Sequence, residues 1–108
     1  MQRGNLFATT GGRSGAERVE TLLEQPGWKL ERIVSMGQST PPGQWLEQDR
    51  DEWVLLLSGS AELRFEQDAA RLSLRPGDWV AIPGGMRHRV ERTDPDAETV
   101  WLALHFES

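Results

Sequence analysis

The chain has 108 residues, 37% of them hydrophobic and 27% charged, with a net charge of −5 and no cysteine. These figures exclude a second sizeable domain and any disulfide or thiolate chemistry. The longest apolar run, Trp53 to Leu57, falls far short of the ~20 residues that span a bilayer.

The arginines are scattered among acids, and only Arg87-His88-Arg89 clusters. No basic face therefore suits nucleic acid or an acidic membrane surface. The first residues lack the apolar stretch of a secretion signal, and a cytoplasmic location is expected.

Residues 1–16 include Ala8-Thr-Thr-Gly-Gly-Arg-Ser-Gly15 and are expected to form a flexible N-terminal arm, with 17–108 as one domain. Arg18 to Glu24 fits a helix face through Val19, Leu22 and Leu23, or a strand. The Gln25-Pro26-Gly27 turn just before a clear strand favours a hairpin. Trp28 to Ser35 alternates, with Trp28, Leu30, Arg32 and Val34 on one face and Lys29, Glu31 and Ile33 on the other.

Gly37 to Gly43 is a loop around Pro41-Pro42. Trp53 to Leu57 is continuously apolar, as in a strand covered on both faces. Ser58-Gly59-Ser60 turns into the alternating segment Ala61 to Phe65. Leu72 to Leu74, Trp79 to Ile82, Arg87 to Arg92 and Thr99 to Phe106 follow as strands, each bounded by Gly, Pro or Asp turns. Short strands punctuated this often predict an all-β fold. The Gly11-Gly12 and Gly84-Gly85 pairs lack the strand-loop-helix context of a phosphate loop, and no serine sits at a nucleophile elbow.

Two segments carry more than local structure. Six residues separate Glu52 from Gly59. Gly77 is followed after five residues by Pro83, after one more by Gly85, and after two more by His88. These spacings resemble the two motifs of the cupin superfamily, across nearly the whole chain from residue 30 to 106. The resemblance implies a small single-domain protein with the double-stranded β-helix, or jelly-roll, cupin barrel. One departure stands out. The family's His-x-His before the glutamate falls here on Trp45 and Glu47, or on Leu46 and Gln48, and the asparagine that often closes the second motif falls on Arg92.

The resemblance makes Glu52 and His88 neighbours in one apolar pocket. With oxygens from Glu47 and Gln48 they form a candidate set for a divalent metal: Mn, Fe, Ni or Zn. One imidazole among carboxyl groups is oxygen-rich and favours Mn or Fe. The plainer alternative is a carboxylate bonded to backbone and a satisfied interior histidine.

Trp45, Trp101, His105 and Arg92 are candidate pocket residues. His105 shares a face with Trp101 and Ala103, so an inward strand adds a second imidazole; the alternative is a strand-end histidine half in solvent. Arg92 shares the parity of His88 and Val90, whereas Arg87 and Arg89 have the opposite parity and face outward. At the mouth Arg92 would hold a carboxylate or phosphate; the alternative is a surface ion pair.

If Glu52 points inward, Trp53, Leu55 and Leu57 point outward and need cover. The resemblance implies a homodimer there, and the alternative cover is the N-terminal arm. Three functional readings stay open. One is a metal-dependent oxygenase or isomerase acting on a small polar metabolite. Another is a non-catalytic cupin that binds or senses a small ligand without metal. The third is a structural or interaction protein whose pocket is vestigial.

Overall fold

The computed structural model describes residues 1–8 and 17–107. The second half of the expected arm, residues 9–16, lies outside the described residues. Arg18–Gln25 (β1) and Trp28–Ser35 (β2) form the hairpin rather than a helix, turning at Gly27 with φ 94°, a value that favours glycine. Then come Asp51–Ser58 (β3), Ala61–Phe65 (β4), Asp68–Leu74 (β5), Trp79–Ile82 (β6), His88–Thr93 (β7) and Thr99–Phe106 (β8). Among the described residues no helix is long and apolar enough to cross a membrane.

The expected closed barrel is not formed. The strands make two open sheets, one ordered β1-β2-β8-β3-β6 and the other β5-β4-β7. The segments that would knit the sheets together, 37–50 and 83–87, are rich in proline and glycine, and proline has no N–H to give to a ladder. Among the described residues, the backbone of 40–46 meets that of β7 at an isolated bridge between Leu46 and His88 and at a bond from the Thr40 N–H to the Val90 carbonyl, 2.9 Å, without forming a strand beside it. The sheets therefore meet face to face, like a sandwich.

Register decides what the sheets enclose. In the larger sheet Ile33, Trp101 and Leu56 lie side by side across β2, β8 and β3, and Ala103 pairs with Val54 in the next row. Against them pack Ala61 and Leu63 of β4 and Leu74 of β5. Leu56 and Ala103 are fully buried, and burying a leucine side chain contributes roughly 1.5–3 kcal/mol. The indole N–H of Trp101 donates to Ser35 Oγ at 3.3 Å, so this buried polar atom keeps a partner. Gly59 seals the same end. Its φ is +88°, and a Cβ there would lie 2.6 Å from Thr99 Cα and 2.8 Å from the Glu98 carbonyl oxygen.

The opposite face of β2 carries Arg32, whose guanidinium donates to the carbonyls of Asn5 (3.0 Å), Leu6 (3.3 Å) and Ala8 (3.3 Å) and pairs with Glu20. Residues 1–8 are thereby held beside β1 and β2 over a groove that reaches Leu23 and Leu30.

Candidate functional site

At the other end of the same inner face the side chains change character. Alternation along β2 aims Lys29 and Glu31 inward, along β8 it aims His105, and along β3 Glu52. His105 pairs with Lys29 on one side and Glu52 on the other. His88 enters from β7 in the facing sheet, with the Phe65 ring beside it, centroids 6.1 Å apart.

The result is a row of charged and ionisable groups. Lys29 Nζ lies 3.4 Å from Glu31 Oε2. His105 Nε2 lies 2.8 Å from Glu31 Oε1 and 3.7 Å from Glu52 Oε2. His88 Nε2 lies 3.7 Å from Glu52 Oε1. The side chains of Glu31, Glu52 and His105 are each 12% exposed, and that of His88 is 7% exposed. They are close to solvent without being open to it. Burial pushes the Glu52 carboxyl above the ordinary glutamate value; His105 and His88 oppose the shift, and Glu31 adds to it. A carboxyl whose pKa is raised in this way is a stronger base, and a value nearer the working pH suits it to take a proton and later return it.

The second motif's turn is tied to β3. Asp51 Oδ1 accepts from the Gly84 N–H at 2.7 Å, and the Gly85 N–H donates to the Gln48 carbonyl at 2.7 Å. A Cβ on Gly84 would fall 2.1 Å from the Asp49 carbonyl oxygen, so only glycine lets the two segments approach. Arg89 fixes the adjoining loop by donating to the carbonyls of Thr40 (2.8 Å), Pro41 (3.1 Å) and Gln44 (3.1 Å). Its Nε lies 2.9 Å from Glu91 but is not aligned for a hydrogen bond.

The expected metal set is not assembled. The Glu47 side chain is 56% exposed and faces Arg87, 3.8 Å away, and Gln48 is engaged through its backbone. Among the groups that do gather, His105 Nε2 is already committed to Glu31. Among the described residues no group of three or more His, Asp or Glu is arranged to hold a metal. The arrangement of the described residues gives no support to metal binding by Glu52, His88, Glu47 and Gln48.

The four candidate pocket residues separate. His105 is in the row. Trp101 is buried in the apolar end, 4% exposed. Trp45 is half-buried on the loop, with Arg64 5.8 Å from its ring centroid. Arg92 is exposed. Val90 pairs with Leu63 and Arg92 with Glu62, so Glu91 is an extra residue in β7. That bulge flips the face, and Arg92 leaves the side that His88 occupies. Sequence reading did not single out Lys29 or Glu31. The signal was the alternation of β2, where the polar face, not the more apolar one, turns inward.

Residues 33–105 match the model of the cupin domain. A structure from Ralstonia eutropha, provisionally named a mannose-6-phosphate isomerase, is 46% identical, with all of both chains covered and a TM-score of 0.96. A cupin superfamily protein of Desulfitobacterium hafniense is 18% identical over 100% of this chain and 94% of its own, TM-score 0.79. A cupin 2 conserved barrel domain protein of Salinispora arenicola is 24% identical over 100% and 90%, TM-score 0.71. The latter two share the fold alone. No curated protein matches.

Proposed function

The chain belongs to the cupin family, and from that premise we propose that the polar end of its inner face binds a small polar metabolite and moves a proton on it, as an isomerase does. The observation that carries this reading is Glu52, a buried carboxyl with a raised pKa set between two imidazoles. Interconverting an α-hydroxy aldehyde and its ketone moves one proton between neighbouring carbons and a second between their oxygens. Glu52 takes the first from the hydroxyl-bearing carbon and returns it to the former carbonyl carbon, while the imidazoles carry the second, taking it from the hydroxyl and giving it to the former carbonyl oxygen. The relative from Ralstonia eutropha supports a sugar phosphate as the first substrate to try.

The test is mannose 6-phosphate in D2O, followed by NMR. The proposal expects deuterium at the carbon next to the carbonyl, lost in Glu52→Gln. Uptake no faster than in buffer, with full occupancy of the protein, defeats it. One observation favours the alternative of a non-catalytic binding protein: at 3.7 Å the imidazole nitrogens are too far from Glu52 to exchange a proton without movement. Saturable binding without deuterium uptake would select that alternative.

Within the same reading the protein acts in the cytoplasm as a homodimer. Support comes from the outer face of the larger sheet, where Trp53 and the 60% exposed Trp79 adjoin, ring centroids 6.0 Å apart, beside Leu55 and Leu104. Apolar surface of this kind suits a partner. The outer face of the smaller sheet instead bears ion pairs such as Arg71–Glu62 and Arg64–Glu91.

A further inference from the structure

The two imidazoles beside Glu52 make different second contacts. His88 Nδ1 lies 3.0 Å from the Met86 carbonyl oxygen. A carbonyl only accepts, so Nδ1 carries the proton, and the neutral ring turns a bare Nε2 toward Glu52. His105 Nε2 lies 2.8 Å from Glu31 Oε1. A carboxylate also only accepts, so here Nε2 carries the proton, and that N–H is the atom nearest Glu52 Oε2.

We propose that Glu31 is a positioning residue which, together with the Met86 carbonyl, holds His105 and His88 in opposite tautomers, so that Glu52 is flanked by one donor and one acceptor. The juxtaposition gives the site a direction. On the His105 side the N–H, already donated to Glu31 at 2.8 Å, reaches an oxygen that gains charge only as a second acceptor. On the His88 side the site offers a lone pair to a hydroxyl. Two imidazoles in the same tautomer would present two donors or two acceptors, which serve only one of the two oxygens of an α-hydroxy carbonyl compound. This consequence rests on the isomerase reading; the tautomers themselves do not.

Glu31 is well supported in the role. Lys29 Nζ lies 3.4 Å from its Oε2 and pairs with it. Its strand neighbour β8 carries His105, so β2 and β8 need only keep their register to keep the contact. The pair also supplies from the last strand an imidazole that the first motif lacks. Glu31 acts through His105, whose Nε2 it holds at 2.8 Å.

The experiment is nitrogen-15 NMR of the two imidazoles in the ligand-free full chain, above the pH at which either ring is charged. His88→Gln and His105→Gln assign the signals. The expected spectrum has a protonated Nδ1 in His88 and a protonated Nε2 in His105. In Glu31→Gln the amide oxygen still accepts, and the His105 tautomer is retained. In Glu31→Leu it is lost, and His105 shows a mixture or the opposite tautomer while His88 is unchanged. The same tautomer in both rings of the unmodified protein overturns the proposal even if Glu31→Leu fails to fold. So does an unchanged His105 in a folded Glu31→Leu. Because no ligand is present, absence of deuterium uptake from mannose 6-phosphate would defeat the isomerase reading and leave this result standing.

Discussion

The inner face of the larger sheet has two ends, built from the same three strands and the same period of two, and they do opposite things. Ile33, Trp101 and Leu56 fill one end and are packed by the facing sheet. Glu31, His105 and Glu52 occupy the other, a few residues along each strand. The first end stabilises the fold. The second gathers ionisable groups that burial penalises, which is the pattern expected of a site kept for chemistry rather than for stability. The difference shows that a strand's role changes along its length, even where its pairing does not.

The sharpest way to break this comparison is to damage each end in turn. Leu56→Ala leaves a void at a fully buried position and should destabilise by about 3 kcal/mol, read from urea unfolding. Next is Gly59→Ala. The positive φ and the collision with Thr99 should together lower stability by about 2 kcal/mol, with a matching fall in the thermal midpoint.

At the polar end the sign reverses. The folded-state pKa of Glu52 is raised, so between its unfolded and folded values the native state binds more protons than the unfolded one. Stability therefore drops as pH rises through that window, and the loss is complete above the folded value. Glu52→Gln removes the penalty. It should equal or exceed the parent in thermal midpoint by a few degrees at pH 7, with the difference vanishing in acid, while any proton-transfer activity is lost. Scans across pH check both. Smallest of all is Arg92→Ala. Exposed and turned away by the Glu91 bulge, it should change stability by less than about 0.5 kcal/mol and leave ligand binding intact by titration calorimetry.

Much of the fold was legible because turns and periodicity are local. Pro26-Gly27 and Ser58-Gly59-Ser60 mark hairpins, and the Gly77 to His88 spacing reads the same in any register. What failed was not local. Whether two sheets close on each other depends on hydrogen bonds between distant segments, and the loop at 40–46 makes too few with β7. A bulge of one residue at Glu91 moved Arg92 to the wrong face, and nothing in its own neighbourhood announced it. Lys29 and Glu31 were not legible because they share the more polar of the two faces of β2, and alternation alone does not say which face turns inward. Glu52 and His88 were legible through motif spacing and His105 through strand parity, whereas the 2.8 Å contact of His105 with Glu31 depends on how β2 and β8 pair.

The account turns on Glu52 being a carboxyl that burial makes reluctant to ionise. Carbon-13 NMR titration of its side-chain carboxyl, assigned with Glu52→Gln, reads this directly. The account predicts a midpoint above that of the exposed glutamates such as Glu66 and Glu107 in the same spectrum; a midpoint equal to or below theirs would contradict it.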